Sequence, residues 1–115
     1  MENIEVRVAS IVIPSANDDG DIFVTVQQNV VEMFIEHFGG ATLYECNGFW
    51  SMSDRTIHCV KIDVAIDTMP ETIKRFMDIV KWVANECQVH SIMAVKPDGV
   101  VVFVEGDLYD GTKNV

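Results

Sequence analysis

Two periodicities divide the chain. Ile4, Val6 and Val8 alternate with Glu5, Arg7 and Ala9 before the apolar run becomes continuous. This pattern predicts a first strand over residues 4–13, ended by Pro14. Val26, Val30, Met33, Phe34 and Phe38 then recur on one helical face, predicting a helix over residues 22–38. Thr25-Val26-Gln27-Gln28 fits a capping box that would start that helix at Thr25. Gly39-Gly40 breaks it, Gly39 being suited to the left-handed closure that other residues resist. Residues 41–46 read as a second strand, followed by an Asn47-Gly48 turn or bulge and the bulky Phe49-Trp50.

The third strand, residues 55–66, has the clearest alternation: Val60, Ile62, Val64 and Ile66 against Cys59, Lys61, Asp63 and Ala65. The short link Ser51-Met52-Ser53-Asp54 makes it the antiparallel neighbour of the second. Thr68-Met69-Pro70-Glu71 opens a second helix, with Thr68 as cap and Glu71 reaching back. Its core stripe is Ile73, Phe76, Met77, Val80, Ala84 and Cys87, and its outer face carries Lys74, Asp78, Lys81 and Asn85. Residues 90–95 and 100–104 form two further strands around the turn Lys96-Pro97-Asp98-Gly99. Periodicity ends at Glu105. The expected organisation is a single domain over residues 1–104 and a loose polar tail over 105–115.

The element order is β-α-β-β-α-β with an added strand. It predicts an α+β, ferredoxin-like antiparallel sheet with two helices on one face and an extra C-terminal strand. The second face needs water, a ligand or another subunit. With Val60, Ile62, Val64 and Ile66 turned to the helices, Ile57, Cys59 and Ala65 fall on that open face. Apolar residues there predict a homo-oligomer, specifically a dimer.

Composition narrows the class. A chain of 115 residues with 49% hydrophobic content supports one core and excludes wholesale disorder. No apolar run is long enough for a spanning helix, and the acidic start Met1-Glu2-Asn3-Ile4-Glu5 lacks a signal-peptide layout, so a cytoplasmic protein without a membrane partner is expected. Three cysteines without a C-x-x-C pair argue against a disulfide framework. The net charge of −10 repels long nucleic acids while allowing a small anionic ligand in a local pocket or a basic protein surface as partner.

Reactive constellations are sparse. Cys87-x-x-His90 has a metal-like spacing, but His58 and Cys59 point to opposite faces of a strand and no second pair completes a zinc site. The aspartates of residues 14–21 lack the spaced ligands and distal Glu of a calcium loop. Phe38-Gly39-Gly40-Ala41 lies at a helix C-terminus, the wrong end of the dipole for phosphate. No nucleophile signature is present. The chain therefore reads as non-enzymatic, with no metal, cofactor or catalytic residue. Binding potential gathers instead in Tyr44 and Trp50 as stacking surfaces, with Arg55, Lys61 and Arg7 as cations for a nucleotide-like ligand. Arg55 leads that set, because its fork holds a phosphate bidentately just beyond the aromatic turn.

The run Phe38-Gly39-Gly40-Ala41-Thr42, the later Gly48-Phe49-Trp50, and the strand, long helix and Gln-containing turn that follow carry a resemblance. Over roughly residues 8–104 the chain resembles a family of short phage and bacterial proteins of uncharacterised function with a Phe-Gly-Gly-x-Thr…Gly-x-Trp core. It departs at Gln88-Val89-His90-Ser91, where the acid that follows Gln in that family is missing. The resemblance implies a ferredoxin-like fold and a phage origin. The expected function is a small binding protein that sequesters a nucleotide-like signalling molecule to evade host defence. The alternatives are an acidic inhibitor docking on a basic surface of a host protein and a small enzyme with a pocket on the open sheet face.

Overall fold

A computed structural model describes residues 5–15, 23–49, 57–87 and 91–107. The elements run β1 (Arg7–Pro14), α1 (Val24–Phe38), β2 (Thr42–Gly48), β3 (Ile57–Ile66), α2 (Pro70–Cys87), β4 (Ile92–Val95) and β5 (Val101–Val104). The strands form one sheet in the order β2-β3-β1-β4-β5, and every neighbouring pair is antiparallel. This is the expected ferredoxin-like α+β arrangement, with β5 as the added edge strand.

The phase of β1 differs from the alternation that predicted it. Ala9, Ile11 and Ile13 are fully buried, whereas Val6 and Val8 are 48% and 58% exposed. Register decides this. Ile11 pairs with Ile62 and Ala9 with Val64, so the strand's odd positions follow the helix-covered face of β3. A slip of one residue would turn the whole strand over, and the uninterrupted apolar set Ala9, Ile11, Ile13 is buried in preference to Val8 and Val12, which flank the polar Ser10.

Both helix starts use groups other than those expected. Phe23, buried, precedes α1 without a side-chain cap, and Thr25 lies within the first turn. The Phe23 N–H donates to the Ser15 carbonyl (3.0 Å) and its carbonyl accepts from the Gln27 N–H (2.9 Å), so backbone and burial do the work assigned to a capping box. At α2, Asp67 replaces Thr68: its Oδ1 accepts the Met69 N–H at 2.9 Å. The Thr72 side chain, and then that N–H, hold the Asp67 carboxyl below its ordinary value. Gly39 does close α1 in the left-handed region (φ 92°), its N–H donating to the Ile35 carbonyl.

The core lies between sheet and helices. Val30 and Phe34 from α1 meet Phe76, Ile79, Val80, Val83 and Ala84 from α2 over Ile11, Ile62, Val64, Ile92 and Ala94. Ile79 and Val83 are buried where Ile73 and Met77 were expected to be, a small rotation of the α2 stripe. The Phe34 and Phe76 rings stack 5.9 Å apart and tie the two helices together. Truncating either to Ala should cost about 3–5 kcal/mol. Of the tail expected to be loose from Glu105, the described residues 105–107 are held on α2. Lys81 Nζ donates to the Glu105 carbonyl (2.7 Å) and pairs with Asp107 (2.8 Å), while Asn85 Oδ1 accepts the Asp107 N–H.

Candidate functional site

Among the described residues no helix covers the second face of the sheet, and strand parity assigns its residues. The side turned away from the helices carries Thr42, Tyr44 and Cys46 from β2 and Cys59, Lys61, Asp63 and Ala65 from β3. From β1 come Val8, Ser10 and Val12, and from β4 and β5 come Met93, Val95, Val101 and Phe103. The face therefore has a polar half over β2, β3 and β1 and an apolar half over β1, β4 and β5.

The polar half is built on Asp63. Ser10 lies directly opposite it on β1, and Ser10 Oγ donates to Asp63 Oδ1 at 2.7 Å. Tyr44 reaches diagonally from β2, and its hydroxyl donates to Asp63 Oδ2 at 3.0 Å. Lys61, two residues back on the same face, stands opposite Tyr44. Its ammonium is 3.9 Å from Asp63 Oδ1 and 5.7 Å from the Tyr44 ring centroid. The Tyr44 side chain first, and then the Asp63 carboxylate, hold the Lys61 ammonium above the ordinary lysine value against a modest loss of hydration. Ser10 is buried, whereas Tyr44 and the Lys61 and Asp63 side chains remain partly open to solvent. The result is a fixed carboxylate beside an aromatic face and an ammonium, a surface suited to a cationic or hydroxyl-rich ligand.

Of the predicted ligand residues, the structure brings Tyr44 and Lys61 together. Arg7 is on the helix-side parity at the far end of β1, opposite Ile66 and five residues from the Val12 that faces Lys61. That is about 16 Å along the strand. There it lines a shallow recess with Glu5, Val6 and Thr68, and the reversed phase of β1 removes it from the cluster. Trp50 and Arg55 lie outside the described residues. Sequence reasoning missed Ser10 and Asp63. Their signals were a hydroxyl inside an apolar run and an acid at the centre of the longest strand, but only the β1–β3 register pairs them.

Of the expected apolar set of the open face, Ile57 and Ala65 lie there, Ile57 half-buried and Ala65 exposed. Cys59 has the right parity but is 2% exposed, being flanked by Cys46 on one side and Pro14 on the other. The exposed apolar surface lies across the sheet, at Val8, Val101 and Phe103. Among the described residues no three His, Cys, Asp or Glu side chains are grouped to hold a metal ion. Among them, too, no helix is long and apolar enough to cross a membrane.

No family model and no curated protein matches the chain. Two solved structures share its fold. A phage SAM lyase in complex with S-methyl-5'-thioadenosine aligns with a TM-score of 0.59 at 16% identity. A phage SAM lyase in the apo state aligns with a TM-score of 0.61 at 14% identity. Each alignment covers 96% of this chain and 98% of the other. This finding overturns the expectation of a non-enzymatic chain: both matched structures are of a lyase, which is an enzyme. The physical reason is that a nucleophile signature marks covalent catalysis only, so its absence from the sequence does not exclude an enzyme.

Proposed function

We propose that this chain is a phage-encoded lyase acting on SAM or a close sulfonium nucleoside, and that the open sheet face is its site. The observation that carries the reading is the end-to-end fold match to the phage SAM lyases. The Ser10–Asp63–Tyr44 cluster on the uncovered face supports it. Sequestration of a nucleotide-like molecule gives way to its consumption as the route by which such a protein would weaken host defence.

The chemistry suits the site. Carbon–sulfur cleavage sends the bonding pair to the positive sulfur and leaves the neutral thioether S-methyl-5'-thioadenosine. In the same step an oxygen of the fragment's own carboxylate attacks the carbon that sulfur leaves, so the C–S bond broken is balanced by the C–O bond of a lactone and no proton is removed. In this scheme the protein binds, orients and dehydrates. The Asp63 carboxylate attracts the cationic substrate, and the Tyr44 face is a surface for the sulfonium or the adenine. Positive charge on sulfur disappears along the reaction, so a site from which water is excluded favours the transition state over the hydrated ground state. A flat sheet provides only one wall. A second copy seated on Val8, Val101 and Phe103 would supply the other and exclude water, giving a homo-oligomer.

The test is incubation of the purified protein with SAM, following S-methyl-5'-thioadenosine by liquid chromatography and mass spectrometry. Product above the protein-free background, lost in Asp63→Ala, is expected. No product, together with no calorimetric binding of SAM or S-methyl-5'-thioadenosine, would refute the reading. Sedimentation at micromolar concentration reads the assembly separately, and a clean 12.9 kDa monomer would remove the second copy.

A further inference from the structure

Two positions along β2 from Tyr44, and two back along β3 from Lys61, Cys46 and Cys59 stand directly opposite each other on the open face. Opposed residues of an antiparallel pair have Cα atoms about 4.5 or 5.5 Å apart, according to their hydrogen-bonding phase. Both values fall inside the range of about 4.4–6.8 Å over which a disulfide spans two strands. Both thiols are free, Cys46 half-buried and Cys59 buried. The Cys59 thiol is pushed up first by burial and then by the neighbouring Cys46, so the two sulfurs sense each other. Cys87 is apart from them. It faces the core from α2, and burial pushes its thiol up to about 12.

We propose that Cys46 and Cys59 are a cross-strand redox pair that closes to a disulfide when a peroxide reaches Cys46. The Cys46 thiolate attacks one peroxide oxygen, the O–O bond breaks, and water leaves, so Cys46 becomes a sulfenic acid. Cys59 then gives up its proton and attacks the Cys46 sulfur. The S–S bond forms and the S–O bond breaks, and the departing hydroxide takes the proton as water. Two thiols and one hydrogen peroxide give one disulfide and two waters. Access sets the order of events, since Cys46 is the more open thiol and Cys59 is shielded between β2 and β1. The bond ties edge strand β2 to β3 beside Tyr44 and Lys61. In a reducing compartment it would act as a transient sensor. The inference does not rest on the lyase reading, because the chemistry belongs to the pair itself.

The experiment treats the purified full chain with hydrogen peroxide and reads intact mass and non-reduced peptide maps. Loss of two hydrogens, with a cross-linked peptide joining Cys46 to Cys59, is expected in the wild type and in Cys87→Ala. The midpoint of thermal unfolding should rise by about 10 °C on oxidation and return with dithiothreitol. Cys59→Ala should halt at a Cys46 sulfenic acid that dimedone traps. Over-oxidised Cys46 without a cross-link, a disulfide to Cys87, or a disulfide joining two chains through Cys46 would each overturn the proposal. The wild-type and Cys87→Ala maps decide it even if Cys59→Ala does not fold.

Discussion

Replacing Asp63 separates its structural role from its chemical one. Asp63→Ala removes the acceptor of two hydrogen bonds, and the two losses differ in cost. Ser10 is 5% exposed, so its orphaned hydroxyl should cost about 1–3 kcal/mol. Tyr44 is 39% exposed, and water can take over its bond. The Lys61 contact, at 3.9 Å with both side chains about a third exposed, is worth only about 0–1 kcal/mol. The sum is about 2 kcal/mol, dominated by Ser10. In a Ser10→Ala background no buried hydroxyl is orphaned, and Asp63→Ala should then cost less than about 1 kcal/mol. Urea unfolding of the four proteins should therefore give a coupling energy of about 1–2 kcal/mol. Additivity within about 0.5 kcal/mol would show that Ser10 does not depend on Asp63. Asp63→Asn supplies the chemical half. Its amide oxygen still accepts from Ser10, so stability should fall by less than about 1 kcal/mol. If the charge attracts substrate, turnover of SAM should drop about tenfold or more. A fully active Asp63→Asn would refute the assignment of this carboxylate to the site.

Three further outcomes test the framework. Gly39→Val should lower stability by about 1–2 kcal/mol through its left-handed φ, since a Cβ there meets nothing within 4 Å, and per-molecule activity of the folded fraction should be unchanged. Gly106→Ala places a Cβ 2.7 Å from the Ala84 carbonyl oxygen, so residues 105–107 should lift from α2, seen as faster amide exchange at Asp107 without global unfolding. Asp67 has a folded pKa below its ordinary 3.8, so it contributes stability above that value which is lost as pH falls through the lower one; thermal melts of Asp67→Asn should be less stable near neutrality and flatter with pH across this acid range.

Much of the fold was legible because its signals are local. Helix breaks at Gly39, alternation in β3, and the turn at Lys96–Gly99 each follow from a few consecutive residues, and the order of elements selects the ferredoxin-like topology. The site was only half legible. Tyr44 and Lys61 advertise themselves as an aromatic and a cation, but Ser10 and Asp63 are 53 residues apart and look ordinary alone.

The sequence by itself determined the periodicities, and through them the number, type and order of elements, because hydrophobic burial acts on every second residue of a strand and on one stripe of a helix. Tertiary structure alone decided which way β1 faces. Pairing with β3 put Ala9, Ile11 and Ile13 beneath the helices and turned Ser10 towards Asp63. That same register carried Arg7 away from the polar cluster and left Val8 open to solvent, while the separate β2–β3 register set Cys46 against Cys59. Strand register is a long-range choice made by the whole core, so no single stretch of the chain encodes it.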